Sequence, residues 1–588
     1  MLQQGQRIST PAPAVAAVRR RWELVTPKTD PDALAQALDV PPIVGRLLAN
    51  RGVGEGGIDH WLNPSLRHLP DPRALTDMDR AVARVLQALD GEERIVIHGD
   101  YDVDGCTSTA LLVRFLGGLG ADVHWYAPHR IRDGYGIQVA TMERLAEEGA
   151  CLVITCDNGT SAHAAIGRGN ELGVDTVVVD HHRLPETLPD AAAILNPKRD
   201  GAGNPFEMMA AVGVAFMLAI AVRAALRDRG AFAVRPEPDL REHLEVVALG
   251  TVADLAPLNG VNRTLVAAGL RLLQHRRHPG LNALLEVAGV DADEPVRAYH
   301  LGFQLGPRIN AAGRLDEASL AVRLLLETDR HAAKAMAEEL HAINKRRQEL
   351  ERDVFDDSLE QVAEHIDLSK PGGLVLWSAD WHPGVIGIVA SRVMRHFHRP
   401  ALLLAVRDGK ATGSGRAISG IDLFDSLNRL SHLFVRFGGH RAAAGVTLLE
   451  ENLPALREAF ANGAFADLPE EKWEPVLRLD AEIDVQDVNW GLHEILTRLA
   501  PFGLGNIEPS FLARGLRATG VKQLAGGRGV RMLLRGADGP SVAAIGWGLN
   551  LADDVLDGPI DVAFSLSVNH WRGRVSLEMR LKDVRPAS

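Results

Sequence analysis

Apolar and polar positions fall into blocks along this chain, and the period of each block predicts its structure. Between Glu93 and Pro257 short β-branched runs, Arg94–Ile97, Leu152–Thr155 and Thr176–Val179, alternate with helical stretches such as Thr107–Leu116 and Ala140–Glu148. This βαβα rhythm predicts a mostly parallel, doubly wound sheet, in which ligands sit just beyond the carboxyl ends of the strands. Residues 328–365 are rich in Ala, Leu, Glu and Lys and lack proline and glycine. They read as one connecting helix of about 55 Å, or as two helices with an unmarked break. Residues 373–405 read strand, helix, strand, with glycine-rich turns at Gly413–Arg416 and Gly438–Gly445, which predicts a smaller α/β domain. From about Pro475 short strand-like runs (Val542–Ile545, Val562–Val568, Val575–Leu581) between glycine and aspartate turns predict a small β-barrel. The resulting division is 1–80, an extension packing on the catalytic domain; 81–300, the catalytic domain; 301–366, an interdomain segment and connecting helix; 367–465, a substrate-binding domain; and 466–588, the barrel.

At 588 residues the chain exceeds a single core, so several domains are expected. Three cysteines without a CxxC pair argue against a disulfide framework or structural zinc, and a reducing, cytosolic setting fits. No signal peptide is read at the N-terminus, where Pro11–Ala17 is short and precedes the basic run Arg19–Arg21. The apolar run Met208–Val222 is too short for the roughly 18–20 residues that span a bilayer and reads as a buried helix. A net charge of −12 excludes a generally basic nucleic-acid coat but not local phosphate binding. Residues 511–588 hold 11 Lys+Arg against 7 Asp+Glu, a local balance of +4.

The chemistry is concentrated in four segments. Val96-Ile-His-Gly-Asp-Tyr-Asp-Val-Asp-Gly runs an apolar strand into His98, Asp100, Asp102 and Asp104. Four titratable groups so close together repel one another unless cations lie between them. Mixed carboxylate and imidazole ligands suit hard divalent ions, Mn²⁺ or Mg²⁺, and the helix that follows offers donors for a phosphate. An acidic solvated turn is the plain alternative. Leu152-Val-Ile-Thr-Cys-Asp-Asn-Gly places Asp157 at a second strand end, and Thr176-Val-Val-Val-Asp-His-His places Asp180, His181 and His182 at a third. Val246–Leu255 is an apolar segment that must bury Asp254, and a buried carboxylate needs a partner.

In order, spacing and content these segments resemble the motifs of the DHH phosphoesterase superfamily. The resemblance implies one ion on His98, Asp102 and Asp157 and a second on Asp104, Asp157, His181 and Asp254, with Asp157 bridging. It places His182, with Asp180 and Asp157, beside the scissile phosphate as a polarising donor or general acid. Gly438-Gly-His-Arg-Ala-Ala-Ala-Gly is similar to the signature of the DHHA1 domain that follows many DHH domains. Together with Gly302-Phe-Gln-Leu-Gly-Pro-Arg-Ile-Asn-Ala-Ala-Gly-Arg, Asp380-Trp-His-Pro-Gly and Gly413-Ser-Gly-Arg, it is similar to the RecJ family of single-strand-specific 5′→3′ DNA exonucleases.

That resemblance implies an OB-like C-terminal barrel, single-stranded DNA as substrate, 5′-mononucleotides as product, and a role in repair and recombination. It also implies single-strand-binding protein and a RecQ-type helicase as partners of a monomeric enzyme. Arg308, Asn310 and Arg314 lie in a glycine-punctuated segment suited to successive phosphates, where the planar guanidinium is well matched. Ser414, Arg416 and His440 form the expected pocket for a 5′-phosphate, and Arg130 matches a further phosphate position of the family. Phe502, Trp547 and Trp571 are candidates for base stacking or for core. Two rival readings are a phosphatase of short oligonucleotides or nucleotides and a non-catalytic replication scaffold.

Overall fold

The computed structural model describes residues 20–587 apart from 131, 316, 466–467, 525–528, 538, 550, 552 and 572–573, and leaves out the side chains at 55, 553–554, 570–571 and 574. Two compact units are distinguished: one is Lys345–Leu479 with the strand Arg21–Leu24, and the other is Val25–Asn344 with Asp480–Ser588.

In the larger unit five parallel strands lie in the spatial order Val123–Tyr126, Ile95–His98, Leu152–Cys156, Asp175–Val179 and Ala193–Leu195. The first two strands are out of chain order, so the winding reverses between Ile95–His98 and Leu152–Cys156. That switch point opens a crevice at the strand ends. Strand residues on both faces are buried because helices cover both. One face packs Ile95, Ile97, Ile154 and Val177 against the helices Met78–Asp90, Val103–Gly118 and Ala211–Asp228. The other packs Val96 and Val153 against Met142 and Leu145. The helix Ala211–Asp228 is apolar nearly all round and interior, as the run Met208–Val222 predicts. No helix among the described residues is long and apolar enough to cross a membrane.

The barrel of this unit is a five-strand closure. Phe511–Gln523, Gly529–Arg535, Val542–Trp547, Arg574–Pro586 and Ile560–Trp571 follow one another, and the last pairs back onto the first. The expected extension is partly redirected: Leu34, Val44, Leu47, Leu48 and Ile58 enter the barrel core beside Phe511 and Phe564. Their helical spacing gives one apolar stripe, and the barrel supplies the surface that buries it.

In the smaller unit the sheet order is Arg436–Gly439, Ala443–Leu449, Lys410–Arg416, Ala401–Arg407, Leu374–Ser378, with only the last pair parallel. The expected turn at Gly413–Arg416 is instead part of a strand. A Cβ on Gly413 would stand 2.3 Å from the Leu403 carbonyl oxygen, so this glycine marks a close backbone approach and not a turn. A single helix, Arg330–His365, links the two units along the chain.

Candidate metal centre

Three of the four acidic segments emerge from carboxyl ends of adjacent strands, as the doubly wound pattern requires. His98 is the last residue of its strand, Asp157 follows Cys156, and Asp180-His181-His182 follow Val179. Asp254 departs from that pattern, because it caps the C-terminus of the helix Leu244–Ala253. Its apolar run is the helix's buried girth.

Local geometry aims the carboxylates inward. Asp102 is the N-cap of Val103–Gly118, its Oδ1 accepting from Gly105 N at 3.1 Å. A Cβ on Gly105 would lie 2.4 Å from Asp100 N, so only glycine lets the loop fold this tightly on the helix. Asp104 accepts from Ala211 N and Val212 N at 2.6 and 2.8 Å, and so holds the N-terminus of a second helix. Asp157 sits at φ +63°, a left-handed conformation costly for a non-glycine residue. Asn158 pins that turn by donating to the carbonyls of Gly99 at 3.1 Å and Cys156 at 2.8 Å.

His181 stands among three carboxylates, 3.2 Å from Asp157 Oδ1 and 3.8 Å from Asp104 Oδ2 and Asp254 Oδ2. Asp104, His181 and Asp254 can offer one ligand atom each within 4.8 Å of one another, as can Asp157, His181 and His182, and Asp100, Asp102 and Asp157. Burial, then the neighbouring carboxylates, pushes Asp104 and Asp254 up to about 7. The same causes hold Asp157 well above the usual carboxylate range. Burial lowers His181, favouring the neutral imidazole that ligates metals. Asp157 Oδ1 and Asp100 Oδ1 are buried without a hydrogen bond. Orphaned oxygens facing like charges are the condition a cation relieves, so this donor set fits hard divalent ions.

His98 is wholly buried, and burial lowers it to about 4. Both its ring nitrogens lack a hydrogen-bond partner, but it joins none of the three ligand groups, where Asp100 stands with Asp102 and Asp157. Around His182 stand Asp180, which the sequence reading places there, and further supports that it misses. Asp180 Oδ1 lies 2.8 Å from His182 Nδ1 and accepts from the His181 and His182 N–H groups. Burial alone would raise Asp180, yet His182 and the Thr160 N–H hold it well below the usual range. Burial works against the His182 imidazolium, but Asp180 outweighs it and raises the ring. The Tyr135 hydroxyl, 3.1 Å from His182 Nδ1, donates to the Asp157 carbonyl at 2.9 Å. Asn196 donates to the His182 carbonyl at 2.9 Å, and Lys198 donates to that of His181. Asp180 stands within the quoted motif, but Tyr135, Asn196 and Lys198 carry no sequence signal, because their approach depends on the fold.

Among the expected phosphate residues, Arg130 lies over the Tyr101 ring at 4.9 Å in the acidic loop. The segment of Arg308, Asn310 and Arg314 is not a loop: a π-helical turn, Leu301–Leu305, leads into the helix Gly306–Leu315. Gly313 is small because the Tyr101 carbonyl would lie 2.3 Å from a Cβ there. Asn310 is half-buried on this helix, and the Arg314 charge reaches Tyr101. The Arg308 guanidinium donates to the carbonyls of Gln304 at 2.7 Å and Val287 at 3.3 Å and lies against His341.

In the smaller unit Ser414 and Arg416 share one strand face. Arg416 donates to Ser414 Oγ at 2.7 Å and Ser391 Oγ at 3.1 Å. His440 is exposed and donates its N–H to Ala443, whose register partner is Arg416. Phe502 packs half-buried on the barrel core, Trp547 is 56% exposed, and the side chain of Trp571 lies outside the described residues.

A doubly wound sheet carrying these acids and histidines defines a metal-dependent phosphoesterase of the DHH class, and residues 94–251 match the DHH family, N-terminal domain. Residues 370–464 match the DHHA1 domain and 479–583 the RecJ OB domain. The chain is 39% identical over 588 residues to the single-stranded-DNA-specific exonuclease RecJ of Dickeya dadantii (strain 3937), covering 97% of this chain and 99% of that one. The crystal structure of RecJ with Mn²⁺ from Thermus thermophilus is 34% identical with a TM-score of 0.81, covering 98% of this chain and 80% of that one. Its Mg²⁺ complex is 32% identical with a TM-score of 0.76, covering 97% and 79%. The chain belongs to the RecJ family.

Proposed function

We propose that this chain is a 5′→3′ exonuclease specific for single-stranded DNA, releasing 5′-mononucleotides with two divalent ions, Mn²⁺ or Mg²⁺, in repair and recombination. The observation that carries the reading is the buried acid–histidine centre, with its orphaned Asp157 oxygen, in a chain that matches a RecJ exonuclease over 97% of its length. One ion is assigned to Asp102 and Asp157 with His98 or Asp100, and the other to Asp104, Asp157, His181 and Asp254. Bound there, such ions polarise a phosphodiester and activate water at neutral pH. The protein's own part is positioning. Asp180 fixes the His182 ring through the 2.8 Å contact, leaving its other nitrogen to donate a proton toward a phosphate or leaving-group oxygen. Ser414, Arg416 and His440 are assigned to the 5′-phosphate, and Arg130, Arg308, Asn310 and Arg314 to the phosphates of the strand.

The domain division at 80, 300, 366 and 465 belongs to this proposal, with 466–588 as the nucleic-acid-binding barrel. So do a cytoplasmic setting, a monomeric state, and single-strand-binding protein and a RecQ-type helicase as partners. The test is a time course in Mn²⁺ on end-labelled single-stranded DNA with and without a 5′-phosphate. Mononucleotides released progressively from the 5′ end are expected. Degradation of dinucleotides alone would favour the oligonucleotide phosphatase, and tight binding without turnover the scaffold.

A further inference from the structure

The short helix Ala298–His300 and the π-helical turn Leu301–Leu305 that follows it each carry one aromatic ring that the core does not use. Tyr299 and Phe303 stack on each other at 5.2 Å with an interplanar angle of 25°, yet they are 53% and 70% exposed. Exposing a phenylalanine ring to this degree gains nothing for folding, and grouped apolar exposure marks a contact surface. The inserted residue of a π turn is a frequent companion of functional sites. Phe303 stands exposed on this turn, and the glycines on either side of it pack the turn closely on its neighbour. A Cβ on Gly302 would lie 3.3 Å from Val252, and one on Gly306 would lie 3.3 Å from Ala253. Val252 and Ala253 form the last turn of the helix that ends at Asp254, so the ring pair is anchored to a member of the metal centre.

The apolar surface continues from that point. Leu255, directly after Asp254, is 66% exposed at φ +60°. Three residues on, Leu258 N donates to the carbonyl of Leu504, itself an exposed leucine next to the barrel, at 2.6 Å. The exposed Trp490 is edge-on to His493 at 5.6 Å on the neighbouring helix. After burial, the charge of Arg297, two residues before Tyr299, is what lowers that histidine. A stripe of rings and branched side chains with a cation at its border therefore runs from Asp254 toward the barrel, all within one compact unit.

We infer that Tyr299 and Phe303 form a stacking platform for unpaired bases of a DNA single strand held at the metal centre. The inference rests on the exonuclease reading above. A single strand is favoured over a protein partner because the pair is exposed and stacked on a segment packed against the helix that ends at Asp254. Base–aromatic stacking needs no sequence readout, as a non-selective exonuclease requires. The role is positioning: the rings touch bases upstream or downstream of the cut and not the reacting phosphate.

The experiment uses the full chain without metal, so that binding is read apart from cleavage. Anisotropy titrations compare a 20-nucleotide strand with an abasic strand of the same length. The double variant Tyr299→Ala/Phe303→Ala is expected to bind the base-bearing strand about ten-fold more weakly and the abasic strand as wild type does. Phe303→Trp should retain or tighten binding, and hydrolysis of a dinucleotide in Mn²⁺ should be unchanged. Wild-type affinity of the double variant for the base-bearing strand would overturn the proposal and leave the stripe to a protein partner. An equal loss on both strands would overturn it too, by pointing to backbone contact or a general defect. Failure of the exonuclease reading would show separately, as wild-type protein that does not degrade single strands in Mn²⁺.

Discussion

The acid–histidine centre and the Ser414–Arg416 site are both assigned to phosphate chemistry, yet they are built on opposite electrostatic plans. In the first, carboxylates are crowded until burial and mutual repulsion push Asp104 and Asp254 to about 7, and Asp157 Oδ1 has no hydrogen bond. In the second, the Arg416 cation is already satisfied by two serine hydroxyls and the Gly415 carbonyl. One site is frustrated until cations arrive; the other is preorganised and needs only to exchange neutral partners for an anion. On this contrast metal binding is expected to stabilise the fold, and phosphate binding to tune specificity.

The largest effect separating the two should come from Asp157, the carboxylate assigned to both ions. Asp157→Asn is expected to cut Mn²⁺-dependent degradation of single-stranded DNA by more than about 100-fold. The same variant, relieved of a repelling buried charge, should melt no lower than wild type in metal-free buffer, which calorimetry reads directly. A melting point several degrees below wild type would mean that Asp157 is a structural group. Metal removal is the next test. Adding Mn²⁺ to chelator-treated wild type at about 100 times its Kd should stabilise it by about 2.7 kcal/mol for each ion bound. Asp254→Ala should lose the share of one ion, and an undiminished rise would remove Asp254 from the ligand set.

On the preorganised side, Arg416→Ala should leave melting and Mn²⁺ binding unchanged. It should reduce the preference for a 5′-phosphate over a 5′-hydroxyl by about ten-fold, the scale of one charge-assisted hydrogen bond. Equal loss on both ends would place Arg416 on the strand and not its terminus.

The smallest effect is an ordinary ion pair taken as the control. Asp77 Oδ2 lies 2.6 Å from Arg199 and accepts from Ile194 N at 3.2 Å. Burial would raise its carboxyl, but Arg199 and Ile194 outweigh it and hold it below its usual value. A depressed folded pKa contributes stability above the unfolded value that is lost as pH falls through the folded one. Asp77→Asn should therefore lower the melting point at pH 7 and converge with wild type below about pH 4. A constant difference across that range would show that the pair carries no linkage.

Much of this organisation was legible from residue order. The β-branched runs before His98, Asp157 and Asp180 each became a buried strand of one parallel sheet, and the proline-free stretch after Thr328 became one helix, Arg330–His365. Period and breaker residues decide such elements locally. Glycine was the misleading signal. Gly413 suggested a turn, but it and Gly313 each mark a place where another backbone comes close to a strand or a helix. A close approach and a turn demand the same missing Cβ, and one sequence does not distinguish them.

The sequence by itself determined which residue types meet at the strand ends, because a parallel sheet delivers every post-strand residue to one edge. Only the tertiary structure decided which of them face one another. It brought Asp254 from a helix end to within 3.8 Å of His181, grouped Asp100 with Asp102 and Asp157, and set Tyr135, Asn196 and Lys198 around the two histidines. Those pairings join residues up to 73 positions apart, and their spacing is set by how helices pack on the sheet. Local pattern does not encode that packing, and so the ligand types could be read along the chain while their partners could not.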